Sequence, residues 1–462
     1  MSNKRLCIII LAAGKGKRMA SDMPKVLHPV LGKPMIYYVI EAGLHLKPLE
    51  IIPVLSHKKE EVESSLVSNF GYIFNFAYQK DPLGTADAVK TALKQVNEVI
   101  DTIMVLSGDV PLITSDLLEK LLNSHIGDIS LISTEIENPF GYGRIIRDSN
   151  GKVIKIVEEK DATAKERTIK EINTGIYCFS KAFLTKYIGK IAKNIVSNEY
   201  YLTDIVSLAV SDGINIHVIK EEKADYLLGI NNRIELATAT KTLQNRITEK
   251  LMLNGVTIVN PERVYIESTV IIGKDSILHP DVYISGNTTI GNNTVIEQGS
   301  IINSSQIGNN VHIKAYSVIE VSEIHDFATI GPFAHLRPES IIHSKAKIGN
   351  FVETKKAVIK EGAKANHLAY IGDALVEEEV NIGAGSITCN YDGEKKHFTH
   401  IKKGAFIGTN TALVAPVIIG EKAVIGAGSV ITKDIPNGAL AVERAELKII
   451  PNWHKLKKRL KK

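Results

Sequence analysis

A glycine-rich loop with two strongly basic side chains stands near the start of the sequence. It spans Gly14–Arg18 (GKGKR), and Lys25 follows a little further on. Glycines let backbone N–H groups approach phosphate oxygens closely, while an arginine fork and a lysine point charge can neutralise them. The loop lacks the ending of a Walker loop and the spacing of a dinucleotide fingerprint. It therefore predicts a phosphate-binding strand-to-helix turn of another kind.

Other polar motifs follow apolar runs in the same half of the chain. Asp109 ends the motif Ser107–Asp109, which comes after an apolar run and so places a carboxylate where open α/β sheets usually bind ligands. A single Asp after a strand is more often a helix cap than a ligand, but the other polar motifs in this half favour a ligand role for Asp109. These motifs are Gln79–Ala86 (QKDPLGTA), Gly141–Arg144 (GYGR), Val157–Glu158, Glu171–Gly175 (EINTG) and Leu228–Asn232 (LGINN).

The second half carries a separate group of polar motifs around one interruption, Thr388–His400. The motifs are His335–Pro338 (HLRP), Phe351–Lys356 (FVETKK), Asn366–Asp373 (NHLAYIGD), Asn381–Gly385 (NIGAG) and Cys389–Gly393 (CNYDG). A single His on a repetitive surface is usually only solvated. Such a cluster of His, Tyr, Lys, Arg and Asn exceeds what a purely structural repeat needs, so we expect a second site here.

Short apolar runs alternate with helical patterns in the first half, which predicts a parallel, doubly wound α/β sheet. The predicted strands are Leu6–Ala13, Ile51–Ser56, Thr102–Ser107 and Ile129–Thr134, and the predicted helices are Met35–Leu46, Thr85–Val99 and Thr114–Ser124. Strand pairs are expected around Gly143–Arg147 and Lys152–Glu158. Arg233–Asn254 has a helical pattern without glycine or proline and is interpreted as a connecting helix.

After Gly255 an aliphatic residue recurs every six residues and is often followed by glycine, as at Ile272, Ile290, Ile348 and Ile425. This period is typical of a hexapeptide parallel β-helix, in which three hexapeptides make one triangular coil and the aliphatic residue points inward. Small residues two places before the next aliphatic one are expected to face the same narrow interior. They are Ser276, Val282, Thr294 and Ser300.

Composition excludes several classes of protein. The 462 residues are 44% hydrophobic and 23% charged, which argues against disorder. A net charge of +5 does not indicate a nucleic-acid partner, and much of it lies in a basic run at 455–462 that predicts a solvated tail. No run reaches the roughly 18 apolar residues of a membrane span. Three well-separated cysteines favour a reducing compartment, so a cytoplasmic location is expected.

The motifs of the first half resemble the signature of sugar-1-phosphate nucleotidylyltransferases. With both halves considered, residues 4 to 450 resemble the bifunctional N-acetylglucosamine-1-phosphate uridylyltransferases/glucosamine-1-phosphate N-acetyltransferases. The resemblance implies a Rossmann-like uridylyltransferase domain at 1–232, a linker helix at 233–254, and a left-handed β-helix acetyltransferase domain with a basic tail at 255–462. It also implies a homotrimer packed through the β-helices, with Mg²⁺, acetyl-CoA and UTP as cofactor and co-substrates.

The resemblance also implies roles for individual residues. His367 is the expected base that takes a proton from the amine, and Arg18 and Lys25 are expected to neutralise phosphate charge. Asp109 and Asn231 are the expected Mg²⁺ ligands. The UDP-sugar site is expected to comprise Leu11, Ala12, Ala13, Gly14, Lys25, Gln79, Gly84, Thr85, Ser107, Gly108, Asp109, Gly143, Glu158, Asn173 and Asn231. Glucosamine 1-phosphate would bind Arg337, Lys355, Tyr370 and Asn381, and acetyl-CoA would bind Ala384, Asn390, Tyr391, Thr409, Ala427 and Arg444.

Three positions depart from the family pattern, and two other functions compete. Lys17 replaces a Thr of the loop, Ser107 a Tyr, and Thr409 a Ser whose hydroxyl is kept. None of these changes removes a charged catalytic group. One alternative is a nucleotidylyltransferase for another sugar with a non-catalytic hexapeptide region. The other is a catalytically inactive regulatory subunit, which is disfavoured by the intact residues Gly14, Arg18, Lys25, Asp109 and Asn231.

Overall fold

The computed structural model describes residues 4–454, and the chain forms two compact units, Met1–Leu243 and Gln244–Lys462. The division falls inside the helix Arg233–Leu253, where the sequence predicted a helix. The basic run 455–462 lies outside the described residues. Within residues 4–454, no helix is both long enough and apolar enough to cross a membrane.

The first unit contains strands β1–β11, helices α1–α7 and the start of α8. The strands are β1 Leu6–Leu11, β2 Pro29–Val30, β3 Lys33–Pro34, β4 Glu50–Leu55, β5 Ala77–Tyr78, β6 Thr102–Ser107, β7 Ile129–Glu135, β8 Arg144–Arg147, β9 Val153–Val157, β10 Glu171–Ser180 and β11 His217–Glu221. The α-helices are α1 Met35–Leu44, α2 Lys59–Phe70, α3 Thr85–Leu93, α4 Ser115–Ser124, α5 Ala164–Arg167, α6 Lys181–Tyr187, α7 Asp204–Ser211 and α8 Arg233–Leu253. Short 3₁₀ turns cover Lys17–Met19, Lys25–Leu27, Ile188–Lys190 and Ala224–Tyr226, and another in the second unit covers Pro261–Arg263.

The main sheet has the strand order β11-β7-β10-β6-β1-β4-β5, with the hairpin β8–β9 attached to β10. β1 pairs in parallel with β4 and β6, as the alternating pattern predicted. The sequence predicted a parallel sheet with added strand pairs and no strand at β10, which runs antiparallel to both β6 and β7. An apolar run records that a strand is buried but not its direction, and here the intervening β8–β9 hairpin reverses the chain before β10 enters the sheet.

Helices cover both faces of this sheet. Successive residues of β1 alternate between two apolar clusters: Cys7 and Ile9 belong to one, Ile8 and Ile10 to the other. Helices α3, α6 and α7 pack on the first face, and α1, α2 and α4 on the second. The sheet is therefore doubly wound, and its carboxyl edges are left to carry polar side chains.

The second unit is built from short strands. They are β12 Thr257–Ile258, β13 Tyr265–Ile266, β14 Ile271–Ile272, β15 Ile277–Leu278, β16 Tyr283–Ser285, β17 Thr289–Ile290, β18 Val295–Ile296, β19 Ile301–Asn303, β20 Gln306–Ile307, β21 His312–Ile313, β22 Val318–Glu320, β23 Glu323–Ile324, β24 Thr329–Ile330, β25 His335–Leu336, β26 Ile341–Ile342, β27 Lys347–Ile359, β28 Lys364–Val376, β29 Asn381–Ile382, β30 Ile387–Cys389, β31 Thr399–Ile401, β32 Phe406–Ile407, β33 Ala412–Val414, β34 Val417–Ile419, β35 Val424–Ile425, β36 Val430–Ile431 and β37 Leu440–Ala441.

Each short strand pairs in parallel mainly with the third strand after it, so three strands complete one coil of a triangular prism. The anchors stack in register, as Leu278 on Ile296 and then on Ile313. The small residues Ser276, Thr294 and Ser300 are fully buried, as the six-residue period predicted. The long strands β27 and β28 pair with each other across all three faces of the prism. This is the parallel β-helix expected from the sequence.

The cysteines are consistent with the absence of disulfides. Cys7, Cys178 and Cys389 are all free. Burial, with a contribution from Glu50, raises the pKa of Cys7 to about 12, and burial raises that of Cys178 to about 12. These two thiols are therefore inert core residues.

Candidate active sites

The glycine-rich loop follows β1 at the centre of the sheet. Leu11 at the end of β1 lies opposite Ser107 of β6, and the Gly108 N–H donates to the Leu11 carbonyl over 2.9 Å. Gly16 has a φ of 60°, and a Cβ atom there would lie 2.6 Å from Lys25 Cβ. The missing side chain thus allows the loop to close onto Lys25, beside the turn that follows β6.

Four of the predicted residues meet in one hydrogen-bonded group. Lys25 Nζ donates to a carboxylate oxygen of Asp109 and, over 2.8 Å, to Asn231 Oδ1. Arg18 Nη2 donates to the same Asn231 oxygen over 2.9 Å. The side chains of Lys25 and Asp109 are only 12% and 24% exposed, so their charges are screened less than surface charges. Residues from three separate motifs therefore form one charged site.

Asp109 and Asn231 have the oxygen atoms needed to hold a divalent cation. Because both oxygens lie within hydrogen-bonding reach of one ammonium nitrogen, they are close enough to ligate one ion. Mg²⁺ prefers oxygen ligands and is commonly held by one or two protein groups together with substrate phosphates and water. Within residues 4–454, no cluster of three or more His, Cys, Asp or Glu could hold a metal. The donor pair therefore suits Mg²⁺ bound jointly with a nucleotide.

Glu235, which sequence reasoning missed, fixes the position of Asn231. Its carboxylate accepts from the Asn231 N–H and from Asn232 Nδ2, each over 2.6 Å, while Asn232 Oδ1 accepts from the Glu235 N–H over 2.9 Å. This reciprocal capping at the start of α8 is signalled by the spacing of Asn232 and Glu235. Nearby, burial and the negative charges of Glu235 and Asp109 raise the pKa of Tyr142 to about 12.

The predicted base-reading residues lie where β5 ends and α3 begins. Gln79 is buried, and its Nε2 donates to Asp87 Oδ2 over 2.6 Å and to the Gly84 carbonyl over 3.3 Å. Gly84 has a φ of 111°, and a Cβ there would lie 2.4 Å from the Tyr200 carbonyl oxygen. Only glycine fits at this position. Asp87 lies outside the motif read from the sequence.

Gly143, Glu158 and Asn173 form a third cluster. The Asn173 N–H donates to the Gly143 carbonyl over 2.8 Å, and a Cβ on Gly143 would lie 3.6 Å from both Glu158 carboxylate oxygens. Desolvation raises the pKa of Glu158, and Asp204 raises it further, while the hydrogen bond from Thr203 Oγ1 lowers it. The strand pairing of β8 and β10 brings these residues together.

The segment Tyr200–Thr203 joins the base-reading cluster to the third cluster, and no sequence motif pointed to it. The Tyr200 carbonyl accepts from the Ala86 N–H over 3.0 Å, and the Leu202 N–H donates to Thr85 Oγ1 over 2.9 Å. Thr203 then donates to Glu158 over 2.8 Å. The sequence did not reveal this role of Tyr200–Thr203, because it depends on contacts between residues far apart in the chain, which local patterns do not encode.

In the β-helix, several predicted residues form a column along one corner of the prism, here called the corner column. His367, Ala384, Thr409 and Ala427 each follow a strand anchor by two residues. Those anchors, Ala365, Ile382, Ile407 and Ile425, pair in register. On the next coil, a Cβ added to Gly426 would lie 2.9 Å from an Arg444 guanidinium nitrogen. His367 therefore lies at one end of the corner column and Arg444 at the other. Successive coils are about 4.8 Å apart.

His367 is exposed, and its ring contacts the side chain of Asn350 on the preceding coil. The His367 Nδ1 and Asn350 Oδ1 atoms are 2.8 Å apart. An amide oxygen only accepts, so in this arrangement Nδ1 carries the proton and Nε2 keeps the lone pair. Asn350 was not predicted, although it lies in register with His367.

Arg337, Lys355 and Lys396 form a cationic cluster at the next corner of the same face. The positive charges of Lys396 and Arg337 lower the pKa of Lys355, whereas Asp373 opposes them. Glu353 accepts from Arg337 Nη1 over 2.8 Å. Such a cluster suits a phosphate monoester. Lys396, in the loop between β30 and β31, was missed because nothing in the sequence connects that loop to Lys355.

The remaining predicted residues lie around these two corners. Tyr370 is on the face between them, and its hydroxyl and Asn390 Nδ2 both crowd the space over Gly372. Asn390 Nδ2 also donates to Asp373 Oδ2 over 2.5 Å, so Asn390 lies on the cationic side rather than in the corner column. Tyr391 is exposed. Asn381 lies on the preceding face, paired with Lys364.

The fold and these sites define the class of protein. A doubly wound sheet with a basic, glycine-rich loop and an Asp–Asn oxygen pair is followed by a hexapeptide β-helix with its own cation cluster. Family models agree: "Nucleotidyl transferase" matches residues 7–225, and "Bacterial transferase hexapeptide (six repeats)" matches 269–304 and 398–433. The class is thus a nucleotidyl transferase joined to a hexapeptide-repeat transferase.

Curated relatives match the chain over nearly its full length. The chain is 44% identical over 444 residues to "Bifunctional protein GlmU" of Pelobacter propionicus, covering 96% of both chains. Proteins of the same name from Heliobacterium modesticaldum and a Geobacillus species are 46% and 45% identical, covering 96% and 95% of this chain and 97% and 95% of theirs. The chain belongs to the GlmU family of bifunctional proteins.

Proposed function

We propose that the chain makes UDP-N-acetylglucosamine in two steps. Residues 255–462 acetylate glucosamine 1-phosphate with acetyl-CoA, and residues 1–232 then convert the product and UTP to UDP-N-acetylglucosamine and pyrophosphate. Such a product feeds peptidoglycan, lipopolysaccharide and other cell-envelope precursors. One observation carries the proposal: each unit of this member of a bifunctional family has its own group of cationic side chains suited to phosphate.

In the first reaction, His367 acts as the general base. Its Nε2 accepts a proton from the sugar amine, the amine nitrogen attacks the thioester carbonyl carbon, and the carbon–sulfur bond breaks to release coenzyme A. Asn350 holds the imidazole through Nδ1. Arg337, Lys355 and Lys396 bind the sugar phosphate, and Tyr370 supports the sugar ring between the two corners.

The donor lies along the corner column. Ala384 and Ala427 present small side chains, so an extended pantetheine arm can run along the coils without steric conflict. The Thr409 hydroxyl lies beside this arm, and the Arg444 guanidinium offers a positive charge at the far end for the nucleotide phosphates. Asn390 and Tyr391 border the acetyl group from the other side.

In the second reaction, a phosphate oxygen of N-acetylglucosamine 1-phosphate attacks the α-phosphorus of UTP, and the bond to the β-phosphate breaks. Arg18 and Lys25 neutralise charge that develops on the phosphates, and the loop Leu11–Gly14 supplies backbone N–H groups. Gln79 and Gly84 hold the uracil, whereas Gly143, Glu158 and Asn173 hold the sugar. Asp109 and Asn231 would hold Mg²⁺, which when bound neutralises and aligns the phosphates.

Two single-residue variants, one in each unit, test the assignment. The assay supplies glucosamine 1-phosphate, acetyl-CoA and UTP, and follows free thiol and pyrophosphate separately. Loss of a general base typically costs about 10²- to 10⁴-fold, so His367→Ala is expected to lose thiol release by that factor. It should still produce pyrophosphate when N-acetylglucosamine 1-phosphate is supplied. Asp109→Asn is expected to abolish pyrophosphate release and to spare thiol release.

Other outcomes would point to the competing functions. Turnover of a different sugar phosphate without thiol release would favour the alternative nucleotidylyltransferase, and no turnover in either channel would favour a regulatory subunit. Equal loss of both activities in Asp109→Asn would contradict the assignment of separate sites. A homotrimer packed through the β-helices and a cytoplasmic location complete the proposal.

A further inference from the structure

The side chain of Gln79 is oriented by partners that only accept hydrogen bonds. Its Nε2 donates to Asp87 Oδ2 over 2.6 Å and, more weakly, to the Gly84 carbonyl over 3.3 Å. A carboxylate and a peptide carbonyl have no proton to donate, so the amide nitrogen must face them. The amide oxygen, Gln79 Oε1, therefore points the other way.

The rest of the local structure prevents Gln79 from turning as a unit. The side chain is 5% exposed, and its backbone N–H donates to the Leu55 carbonyl over 2.8 Å. Asp87 lies in the first turn of α3, whose start is pressed against Tyr200. The only movement left to the side chain is rotation of its terminal amide, and the hydrogen bond to Asp87 fixes the orientation of that amide.

The orientation of this amide decides which pyrimidine the site accepts. Uracil presents a donor, N3–H, on the edge where cytosine presents an acceptor, the N3 lone pair. An amide oxygen pairs with the first and repels the second. A flipped amide would present its NH₂ group and reverse that preference. A buried polar group left unpaired typically costs a factor of about 5 to 150 in an equilibrium constant, which is enough to discriminate between two nucleotides.

We propose that Asp87 is the positioning residue that makes the nucleotide site select uridine over cytidine, by fixing Gln79 with its amide oxygen toward the base. This inference rests on the proposed uridylyl transfer and on Gln79 facing the base. It concerns only the pairing edge of the base. It does not distinguish uracil from thymine, because both carry N3–H.

The test compares kcat/KM for UTP, CTP and 5-methyl-UTP with N-acetylglucosamine 1-phosphate as acceptor. In Asp87→Asn and Asp87→Ala the acceptor-only carboxylate is gone and only the longer contact with the Gly84 carbonyl remains, so the amide of Gln79 can take either orientation. The UTP-to-CTP ratio is expected to fall about tenfold or more. The ratio of UTP to 5-methyl-UTP should stay within about twofold, since general loosening of the site would move both ratios. Asp116→Asn, the same change in the first turn of α4, is the matched control and should keep both ratios.

A reciprocal exchange provides a second measurement. In Gln79→Glu two carboxylates face each other, and UTP turnover is expected to collapse. Adding Asp87→Asn supplies an NH₂ donor to the new carboxylate, so the double variant should recover UTP turnover by about tenfold over Gln79→Glu alone. Recovery would require direct pairing of the two side chains.

The inference is overturned if both Asp87 variants keep the parent's UTP-to-CTP ratio, if both ratios fall together, or if Asp87→Asn worsens Gln79→Glu. Each of these results leaves the proposed function standing, because the parent still uses UTP. Failure of the parent to release pyrophosphate from UTP would instead refute the proposed function itself.

Discussion

The bond from His367 to Asn350 makes a residue-scale prediction about the general base. Asn350→Ala removes the acceptor that keeps the proton on Nδ1, so the rate of acetyl transfer is expected to fall about tenfold. Asn350→Asp keeps an acceptor at the same position, so it should retain most of the parent's rate of acetyl transfer. Equal rates in the parent and in Asn350→Ala would show that Asn350 does not position the base.

Lys396 makes a second prediction at this scale, because it is one of three cations around the expected phosphate. Lys396→Ala is expected to raise the KM for glucosamine 1-phosphate about tenfold, since charge-assisted hydrogen bonds are among the stronger ones. The KM for acetyl-CoA should change little. Lys395→Ala, the adjacent change in the same loop, is the control. Equal effects from the two lysines would refute a specific role for Lys396.

The types of most site residues could be read from the sequence, but their positioning partners could not. Arg18, Lys25, Asp109 and Asn231 stand in recognisable motifs, and the structure brings them into one group. Asp87 and Lys396 reach the sites only because the tertiary structure places them beside Gln79 and Lys355. In the sequence, an Asp in a helix or a Lys in a loop carries no signal of such a role. Glu235 was also missed, although its spacing from Asn232 fits a helix-capping pattern that the sequence does show.

At the scale of elements, the junction between α4 and β7 carries a pH-dependent interaction. His125 is buried after α4, and its Nδ1 lies 2.8 Å from Ser130 Oγ. Burial, with the positive charges of Lys4 and His217, lowers the pKa of His125 to about 4. The unfolded chain has the ordinary value of about 6.5, so between pH 6.5 and 4 only the unfolded state takes up this proton. Stability is therefore unaffected above that window and falls as the pH drops through it.

The measurement is the thermal inactivation midpoint of uridylyl transfer at pH 7 and pH 5. The lost stability would approach about 2 kcal/mol at pH 5 from this group alone. His125→Gln is expected to flatten the difference between the two midpoints, and His57→Gln, at an exposed site, should not. A His125→Gln protein that keeps the parent's full pH dependence would contradict this account.

Elements differ in how well local patterns predicted them. The six-residue period predicted the β-helix directly, because each coil buries the same types of residue at the same positions. The small residues Ser276 and Thr294 are examples of positions that face its interior. The helices α2, α5, α6 and α7 were not predicted, and neither were the strand β10 and its antiparallel direction. Direction depends on how the β8–β9 hairpin turns the chain, which is a property of topology rather than of residue pattern.

At the scale of the molecule, a stacked row of exposed side chains supports the proposed homotrimer. Tyr316, Phe333 and Phe351 stack with centroid distances of 5.3 and 5.5 Å, and each is about half exposed on the chain alone. Leu368, which is also exposed, lies beside Phe351 on the next coil, because Asn350 pairs with His367 and Val352 with Ala369. An exposed apolar row of this kind indicates a contact with another chain.

Light scattering is expected to give three times the 50.6 kDa mass of the chain. Phe333→Asp should lower that mass and reduce acetyl transfer, because it places a charge in the contact, whereas uridylyl transfer should persist. Phe333→Tyr is the conservative control. A monomeric parent with full acetyl transfer would rule out the trimer as a requirement for that activity.

The corner column also fixes the distance between the two ends of the expected acyl-donor site. The distance from His367 to Arg444 is counted in whole coils, each adding about 4.8 Å along the prism axis. A single inserted residue would be absorbed at a corner without changing that distance, whereas removing one coil would bring the donor's far end that much closer to the base. The reach of the acyl donor in this architecture therefore changes only in steps of whole coils.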